Sequence, residues 1–364
     1  MVIPGPNELT LDQLNKIMDR FMSEMIQLYS RHDFRVHGHE NKFPIHSVLN
    51  SEVCDLPANR KLEGLASFSS KLFMCPQYPW RYIRYAFRAH SAEDADKQEI
   101  FDRHGVSWSP LNRLPGWLTS LNSVVEFMHC IYLCMVRHVT KIIILQLGML
   151  SPIPRNDWYP LEQIDEFFSQ IIWPVSVGRL PPSVTSSSLK ADQWHLHISV
   201  LFVGLFVSWE RCLETLLSET ENPTDEQLDE INTSTMDRSI RHHYETVLTF
   251  STTIQILSSC SISPDEIDCG CAALSRACQN WAHMGCHMTP YFHFAQHLHC
   301  QLLQFGLCYA TWAFPYECNN GFLGRMNHNN HKGGELECTM MHKWWKWVLV
   351  CDLIGCFLSS HYFR

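Results

Sequence analysis

The sequence has no excess of basic residues: 28 lysines and arginines face 37 aspartates and glutamates, and the formal net charge is −9. Because phosphate neutralisation supplies most of the affinity of a free-standing DNA-binding domain, this balance argues against independent nucleic-acid binding, although a local basic groove is compatible with it. Charged residues make up only 18% and hydrophobic residues 46% of the 364 residues. This composition excludes a disordered chain and allows one large domain or two ordinary ones.

The sequence also lacks a signal peptide and a long apolar run. Residues 1–6 contain neither the charged nor the apolar region of a secretory signal. The longest apolar run, from Ile198 to Trp209, is shorter than the roughly 20 residues that span a bilayer, which predicts a core helix. The 16 cysteines lie mostly in apolar stretches, where a reduced cysteine packs as a small hydrophobe. We therefore expect a soluble intracellular protein without a membrane partner.

Helical spacing dominates the predicted secondary structure. Apolar residues recur at this spacing from about Leu9 to Tyr29, with Thr10 as a plausible N-cap. A strong apolar helix is predicted from Val124 to Leu147. Further helical segments are predicted at Leu161–Ile172, Lys190–Leu217 and Met236–Ser258.

Strands and turns are predicted at fewer places. Strand character is found at Phe34–His37 and again at Ile45–Cys54, and Pro57 biases the chain so that Asp55 lies near a strand end. The acidic stretch from Glu219 to Glu230 is predicted to be a solvated loop or helix face. Turns are predicted at Asn319-Asn320-Gly321 and Lys332-Gly333-Gly334.

Two sets of acidic residues could take part in chemistry. Glu317 lies among aromatic residues before the predicted turn, where it could bind a hard cation, cap a helix or pair with an arginine. Glu126 and His129 are three residues apart and therefore share one face of a helix. This pair could belong to a catalytic site or form a hydrogen-bonded link at the start of a helix.

Two further segments have compositions typical of binding sites. Residues 269–300 are rich in possible zinc ligands but contain no Cys-x-x-Cys pair, so a zinc site competes with plain core packing; the ligands are Cys269, Cys271, Cys278, Cys286, His287, His293, His297, His299 and Cys300. Lys343, Trp344 and Lys346 combine cations with an aromatic ring that could stack on a base. A tryptophan-rich helix packed on a core is the alternative. Cys75 alone predicts nothing.

Ten short motifs occur in one order along nearly the whole chain, from about residue 2 to residue 354. Taken together they resemble the transposases of CACTA (En/Spm)-type elements of mushroom-forming fungi. The motifs are Ile3-Pro4-Gly5-Pro6, residues 53–58, Met74-Cys75-Pro76, Leu114-Pro115-Gly116-Trp117, residues 126–129, residues 178–182, residues 190–194, residues 289–294, residues 316–321 and residues 333–337.

The resemblance implies an α+β, predominantly helical protein with an incomplete RNase H-like core and a long helical insertion. It implies a partial core over residues 1–150 without its first strand, an insertion over 151–290, and C-terminal core helices over 291–364 that carry the last acid. Such enzymes hold two Mg²⁺ ions with three carboxylates and cut DNA phosphodiesters. The candidate ligands are Glu317, Glu126 and Asp55, with His129 beside them. Transposon-end DNA, self-association and a nuclear location are also implied.

The sequence departs from the family pattern at four points, one of which is Cys318, where the family tends to have an arginine after the last acid. The family's early acid, in an Asp-Gly turn, would precede Met1, and Glu126 replaces an aspartate. An added methylene displaces a ligand by about 1 Å, which could cost about 100-fold in rate. Cys75 lacks the second cysteine of a Cys-Pro-x-Cys motif. We therefore expect a chain that does not catalyse transposition by itself, with a non-catalytic DNA- or transposase-binding protein and a zinc-binding protein as alternatives.

Overall fold

The computed structural model describes residues 9–30, 32–36, 38–67, 79–152, 159–174, 180, 183–186, 189–218, 240–325 and 338–350. These residues form a predominantly helical protein with one two-stranded sheet, which confirms the predominantly helical α+β class that the sequence predicts. Several predicted features lie outside the described residues: Ile3–Pro6, Cys75, Gly178-Arg179 with Pro181-Pro182, Glu219–Glu230 and residues 332–337.

Helix α1 spans Leu11–Tyr29 and begins where the sequence predicts, because Thr10 and Gln13 form a reciprocal capping box. Strands β1 (His32–Arg35) and β2 (Lys42–Ile45) follow and pair antiparallel. The prediction of a strand over Ile45–Cys54 is wrong. Residues 46–54 form no regular strand, and within this segment Glu52 makes an isolated bridge to Ser123.

Four helices follow the sheet: α2 (Leu56–Leu62), α3 (Pro79–Ser91), α4 (Asp94–His104) and α5 (Thr119–Asn122). They surround two small apolar clusters, one containing Met22 and Trp117 and the other containing Tyr82. Gly64, after α2, has a φ of +67°, and its carbonyl accepts a hydrogen bond from the backbone N–H of Ser107. A Cβ at this position would lie 2.7 Å from the Ser107 carbonyl oxygen, so only glycine fits this crossing.

The central helix consists of two consecutive π-helical segments, Met128–Val136 and Val139–Gln146, and confirms the apolar helix predicted over this region. By length and composition, Met128–Gln146 could cross a membrane, but 61% of this stretch is buried inside the protein. Core helices of globular proteins have the same length and composition. Its packing against the neighbouring helices is that of a core helix.

Helices α6 (Pro160–Gln170), α7 (Ala191–Ser218), α8 (Ile240–Leu257) and α9 (Pro264–His283) form a bundle around the central helix. The first three confirm helices predicted from apolar spacing. Helix α7 packs against α6, α8 and the central helix, and α8 packs against α9. The largest core cluster runs from Phe127 to Ala313 and so includes residues from all three predicted segments.

The last helices are α10 (Pro290–Phe294), α11 (Leu298–Phe305), α12 (Phe314–Gly324) and α13 (residues 338–350). The turn predicted at Asn319-Asn320-Gly321 is wrong, because α12 continues through it. Pro315 occupies the first turn, where a proline favours helix initiation. The ring of Phe322 packs 4.7 Å from that of Trp347 on α13, and this contact offsets the low helix propensity of Gly321.

Candidate acidic site around His129

Glu126 lies between α5 and the central helix, and its carboxylate accepts hydrogen bonds at both oxygens. Oε1 accepts from the backbone N–H groups of Met128 at 2.9 Å and Ala313 at 2.7 Å. Oε2 accepts from the backbone N–H of His129 at 2.7 Å and lies 2.5 Å from its Nδ1. A carboxylate has about four lone-pair positions, so these four contacts use all of them. The side chain is 1% exposed.

His129 is the residue on which the charges of all the candidate acids act. Its Nδ1 contacts Glu126, and its Nε2 lies 3.9 Å from Oε1 of Glu317. Burial lowers the pKa of His129, but the hydrogen bond to Glu126 and the charges of Glu126, Asp55 and Glu317 outweigh burial and raise the pKa above its ordinary value. The three acids therefore favour the protonated form of His129.

Asp55 and Glu317 both occupy the first positions of helices. Asp55 is the N-cap of α2, and its Oδ1 accepts from the backbone N–H of Ala58 at 2.9 Å. Glu317 lies in the first turn of α12, with a side chain that is 55% exposed, and its backbone N–H donates to the Ala313 carbonyl. The fold thus brings the four residues that the sequence singled out into one region. Within it, Glu126 and His129 share the short hydrogen bond.

This arrangement does not fit a pair of magnesium ions. Mg²⁺ requires oxygen ligands at about 2.0–2.1 Å in octahedral geometry. All lone pairs of Glu126 accept hydrogen bonds from the protein, and Asp55 caps α2. Over the described ranges, no three histidine, cysteine, aspartate or glutamate side chains lie close enough to hold a metal ion.

The Cys/His-rich segment 269–300 is distributed over α9, α10 and α11. Cys278 and Cys286 are buried, whereas Cys269 and Cys300 are exposed on the surface. His299 contacts Asp268 instead, with Nε2 2.6 Å from Oδ1. Within the described part of the chain, these side chains form no group of three that could bind zinc.

Lys343, Trp344 and Lys346 lie on α13. Both lysines are exposed, and the ring of Trp344 lies 5.2 Å from that of Trp345 in an edge-to-face arrangement. Because Trp347 of the same helix packs on α12, this segment has the contacts of a packed helix as well as an exposed basic side.

A cavity of about 370 Å³ adjoins His129. Leu56, Val124, Phe294 and Phe305 supply apolar walls, and Gln301 lies at its edge. The Gln301 amide pairs with the backbone of Val125, since Oε1 accepts from Val125 N–H at 2.8 Å and Nε2 donates to its carbonyl at 3.0 Å. This pairing fixes the strand-like segment that leads into Glu126.

A buried pair of carboxyl groups, Glu52 and Glu63, lies close to the cavity and was not predicted. Glu63 is 0% exposed and accepts a hydrogen bond from Thr119; burial raises its pKa to about 7, although the Thr119 bond lowers it. Glu52 accepts from Asn59 at 2.7 Å and Ser123 at 3.1 Å. Burial and the charge of Glu63 raise the pKa of Glu52 well above its ordinary value. Both carboxyl groups are therefore harder to ionise than an exposed glutamate.

Comparison with known protein families, with curated proteins and with solved structures finds no match to this chain. The chemistry of the side chains around His129 is thus the basis for distinguishing the candidate functions. Nothing in the local sequence marks Glu63 as buried, because Thr119 and Tyr82, which enclose it, come from other helices.

Proposed function

We propose that this chain derives from a CACTA-type transposase and acts without cutting DNA, by associating in the nucleus with transposon DNA or with an intact transposase. One observation carries the non-cleaving part of the proposal. The Glu126 carboxylate is fully engaged by donors from Met128, His129 and Ala313. The family origin rests on the order of the sequence motifs.

Engagement of Glu126 matters because two-metal cleavage needs carboxylate oxygens that face the ions. Releasing Glu126 for a metal would leave the Met128 and Ala313 N–H groups without a partner in a buried region. Each buried N–H left unpaired costs about 1–3 kcal/mol. Glu126 is better suited to fastening the start of the central helix to the segment before α12.

We propose further that the helices around Glu126 and Glu317 belong to an incomplete RNase H-like core with a helical insertion. Glu126 and Glu317 are 191 residues apart in the sequence, yet His129 contacts the first and lies 3.9 Å from the second. The helices α6 to α9 lie between them in sequence, as an insertion would. If this site bound Mg²⁺, Asp55 and Glu317 would be the ligands. Among the three candidate acids, they keep carboxylate oxygens that accept no hydrogen bond from the described residues.

The test is metal-dependent nicking of supercoiled plasmid by the purified chain in Mg²⁺ or Mn²⁺. We expect no conversion above that of a buffer control, and no difference between the wild-type chain and Glu317→Ala. Nicking that requires the metal and disappears in Glu317→Ala would overturn the non-cleaving function. Retention on duplex DNA that falls with added salt would distinguish a DNA-binding protein from one that binds only a transposase.

A further inference from the structure

Helix α3 carries a stripe of positive charge on a protein whose net charge is −9. Its 13 residues, Pro79–Ser91, include Arg81, Arg84 and Arg88 and no acidic residue. The spacing of three and four residues puts the arginines on one face of the helix, and all three are exposed. Within the described part of the chain, none of them forms an ion pair with a carboxylate.

The acids nearest to this stripe are mostly paired elsewhere. On the neighbouring helix α4, Asp94 pairs with Lys97 at 2.8 Å, and Glu99 pairs with Arg103 at 2.9 Å. Asp96 lines a shallow surface cavity together with Arg88. His104, the last residue of α4, stacks on Tyr85 of α3, and burial together with the charges of Arg81, Arg88 and Arg103 lowers its pKa.

Aromatic rings border the arginine stripe. Trp80 and Phe87 are 63% and 46% exposed, and they lie on the same side of α3 as the arginines. Phe87 packs edge-to-face on Trp108 with ring centres 5.1 Å apart, which orients its ring. Tyr85 stacks on His104 at 3.7 Å, and the Arg88 guanidinium lies 5.9 Å from the Tyr85 ring centre. Cations and ring faces therefore alternate along this surface.

The opposite side of α3 is buried and fixes the helix to the protein. Tyr82 and Ala86 are fully buried, and Ala89 is 3% exposed. The Tyr82 hydroxyl donates to the Glu63 carbonyl and accepts from Asn112. Because the apolar side of α3 is already packed, the helix cannot insert it into a lipid surface. The exposed stripe is a rigid surface whose charge suits a polyanion.

We propose that this α3 face, consisting of Trp80, Arg81, Arg84, Phe87 and Arg88, binds single-stranded nucleic acid. The arginines contact backbone phosphates, and the exposed rings stack on unpaired bases, which offer a flat face irrespective of sequence. A duplex keeps its bases stacked on one another and offers these rings little contact. The proposal rests on α3 and does not depend on the transposon origin or on the state of the acidic site.

The test measures binding of a labelled oligothymidylate of about 12 nucleotides by fluorescence anisotropy, with the full chain and at several salt concentrations. Arg81→Gln, Arg84→Gln and Arg88→Gln are combined in one variant. We expect it to weaken binding at least about tenfold and to reduce the slope of log K against log salt by about 2, since each single-strand phosphate contact contributes about 0.7. Phe87→Leu should weaken binding about fivefold with an unchanged slope.

Arg276→Gln is the matched control, because Arg276 is an exposed arginine on α9. It should bind as the wild-type chain does. Equal loss in Arg276→Gln and in the triple variant, or no loss in the triple variant with a folded circular dichroism spectrum, would overturn the α3 site. Binding of duplex as tight as that of the single strand, or binding only to phosphatidylserine vesicles, would overturn the single-stranded ligand. Because the arginines are exposed, the triple variant should keep the thermal midpoint of the wild-type chain.

Discussion

Glu126 and Ala313 are separated by 187 residues in sequence, and the Ala313 backbone N–H donates a hydrogen bond of 2.7 Å to the Glu126 carboxylate. The same carboxylate oxygen accepts from Met128. The side chain therefore joins the start of the central helix to the segment before α12. This link explains why an acid that could have been a metal ligand is better understood as a structural residue.

Replacing Glu126 with glutamine should destabilise the protein markedly. Both oxygens of Glu126 accept hydrogen bonds from backbone N–H groups. The amide nitrogen of glutamine would face at least one of these buried N–H groups, which would then have no hydrogen-bond partner. We expect the free energy of unfolding to fall by about 3 kcal/mol, measured by urea denaturation. Glu317→Gln serves as the control, since its side chain is 55% exposed, and it should change stability by less than about 0.5 kcal/mol. Equal stability of the two variants would contradict a structural Glu126.

The pKa of His129 should be above its ordinary value and should depend on the acids around it. The hydrogen bond to Glu126 and the charges of Asp55 and Glu317 favour the protonated ring. In an NMR titration assigned with His129→Gln, Asp55→Asn and Glu317→Gln should each lower this pKa. A pKa that is unchanged in both variants would mean that neither carboxylate lies near enough to act on the ring.

Stability should depend on pH through Glu63. Its pKa is raised from 4.5 to about 7 in the folded state. The stability that protonated Glu63 contributes is therefore fully present below pH 4.5 and is lost as pH rises through 7. The amide of Glu63→Gln cannot ionise, so the variant does not lose this stability. Between pH 4.5 and pH 8 the free energy of unfolding of the wild-type chain should therefore fall by about 3 kcal/mol relative to that of the variant.

The control for this measurement is Glu40→Gln, which removes an exposed carboxylate between β1 and β2 and should keep the pH profile of the wild-type chain. Urea denaturation at a series of pH values provides both curves. Parallel curves for wild type and Glu63→Gln over this pH range would show that the Glu63 carboxyl is not desolvated in the folded protein.

Gln301→Leu should also destabilise the protein. The amide of Gln301 is 8% exposed and satisfies both backbone groups of Val125, which leucine cannot do. We expect a loss of about 2 kcal/mol or more in unfolding free energy. Gln304→Leu, at an exposed position on the same helix, should cost less than about 0.5 kcal/mol. Similar losses in the two variants would argue against the Val125 pairing.

The helices could be predicted from the sequence because their signals are local. Thr10 and Gln13 mark the start of α1, and apolar spacing marks α6, α7 and α8. The Asn319-Asn320-Gly321 turn was predicted from equally local residues and is wrong, since a contact between Phe322 and Trp347 favours the helix. Local propensity decides only where tertiary packing does not oppose it.

The residues of the site could be predicted from the sequence, but the hydrogen bonds that they form could not. Asp55, Glu126, His129 and Glu317 do lie in one region, but no local pattern indicates that the Ala313 N–H donates to Glu126. The buried Glu52 and Glu63 pair could not be predicted either, because burial depends on Thr119, Tyr82 and Ser123 from distant parts of the chain. Such long-range contacts have no signature in local spacing.

The link between Glu126 and Ala313 also limits how the acids could rearrange. Turning the Glu126 carboxylate toward Glu317 would detach the first turn of the central helix and the entry to α12 together. These two segments should therefore open as a single unit in hydrogen exchange, with Met128 and Ala313 amides exchanging at one common rate. Releasing the Glu126 carboxylate as a second free acid beside Glu317 would therefore also break the tertiary contact between the central helix and the segment before α12.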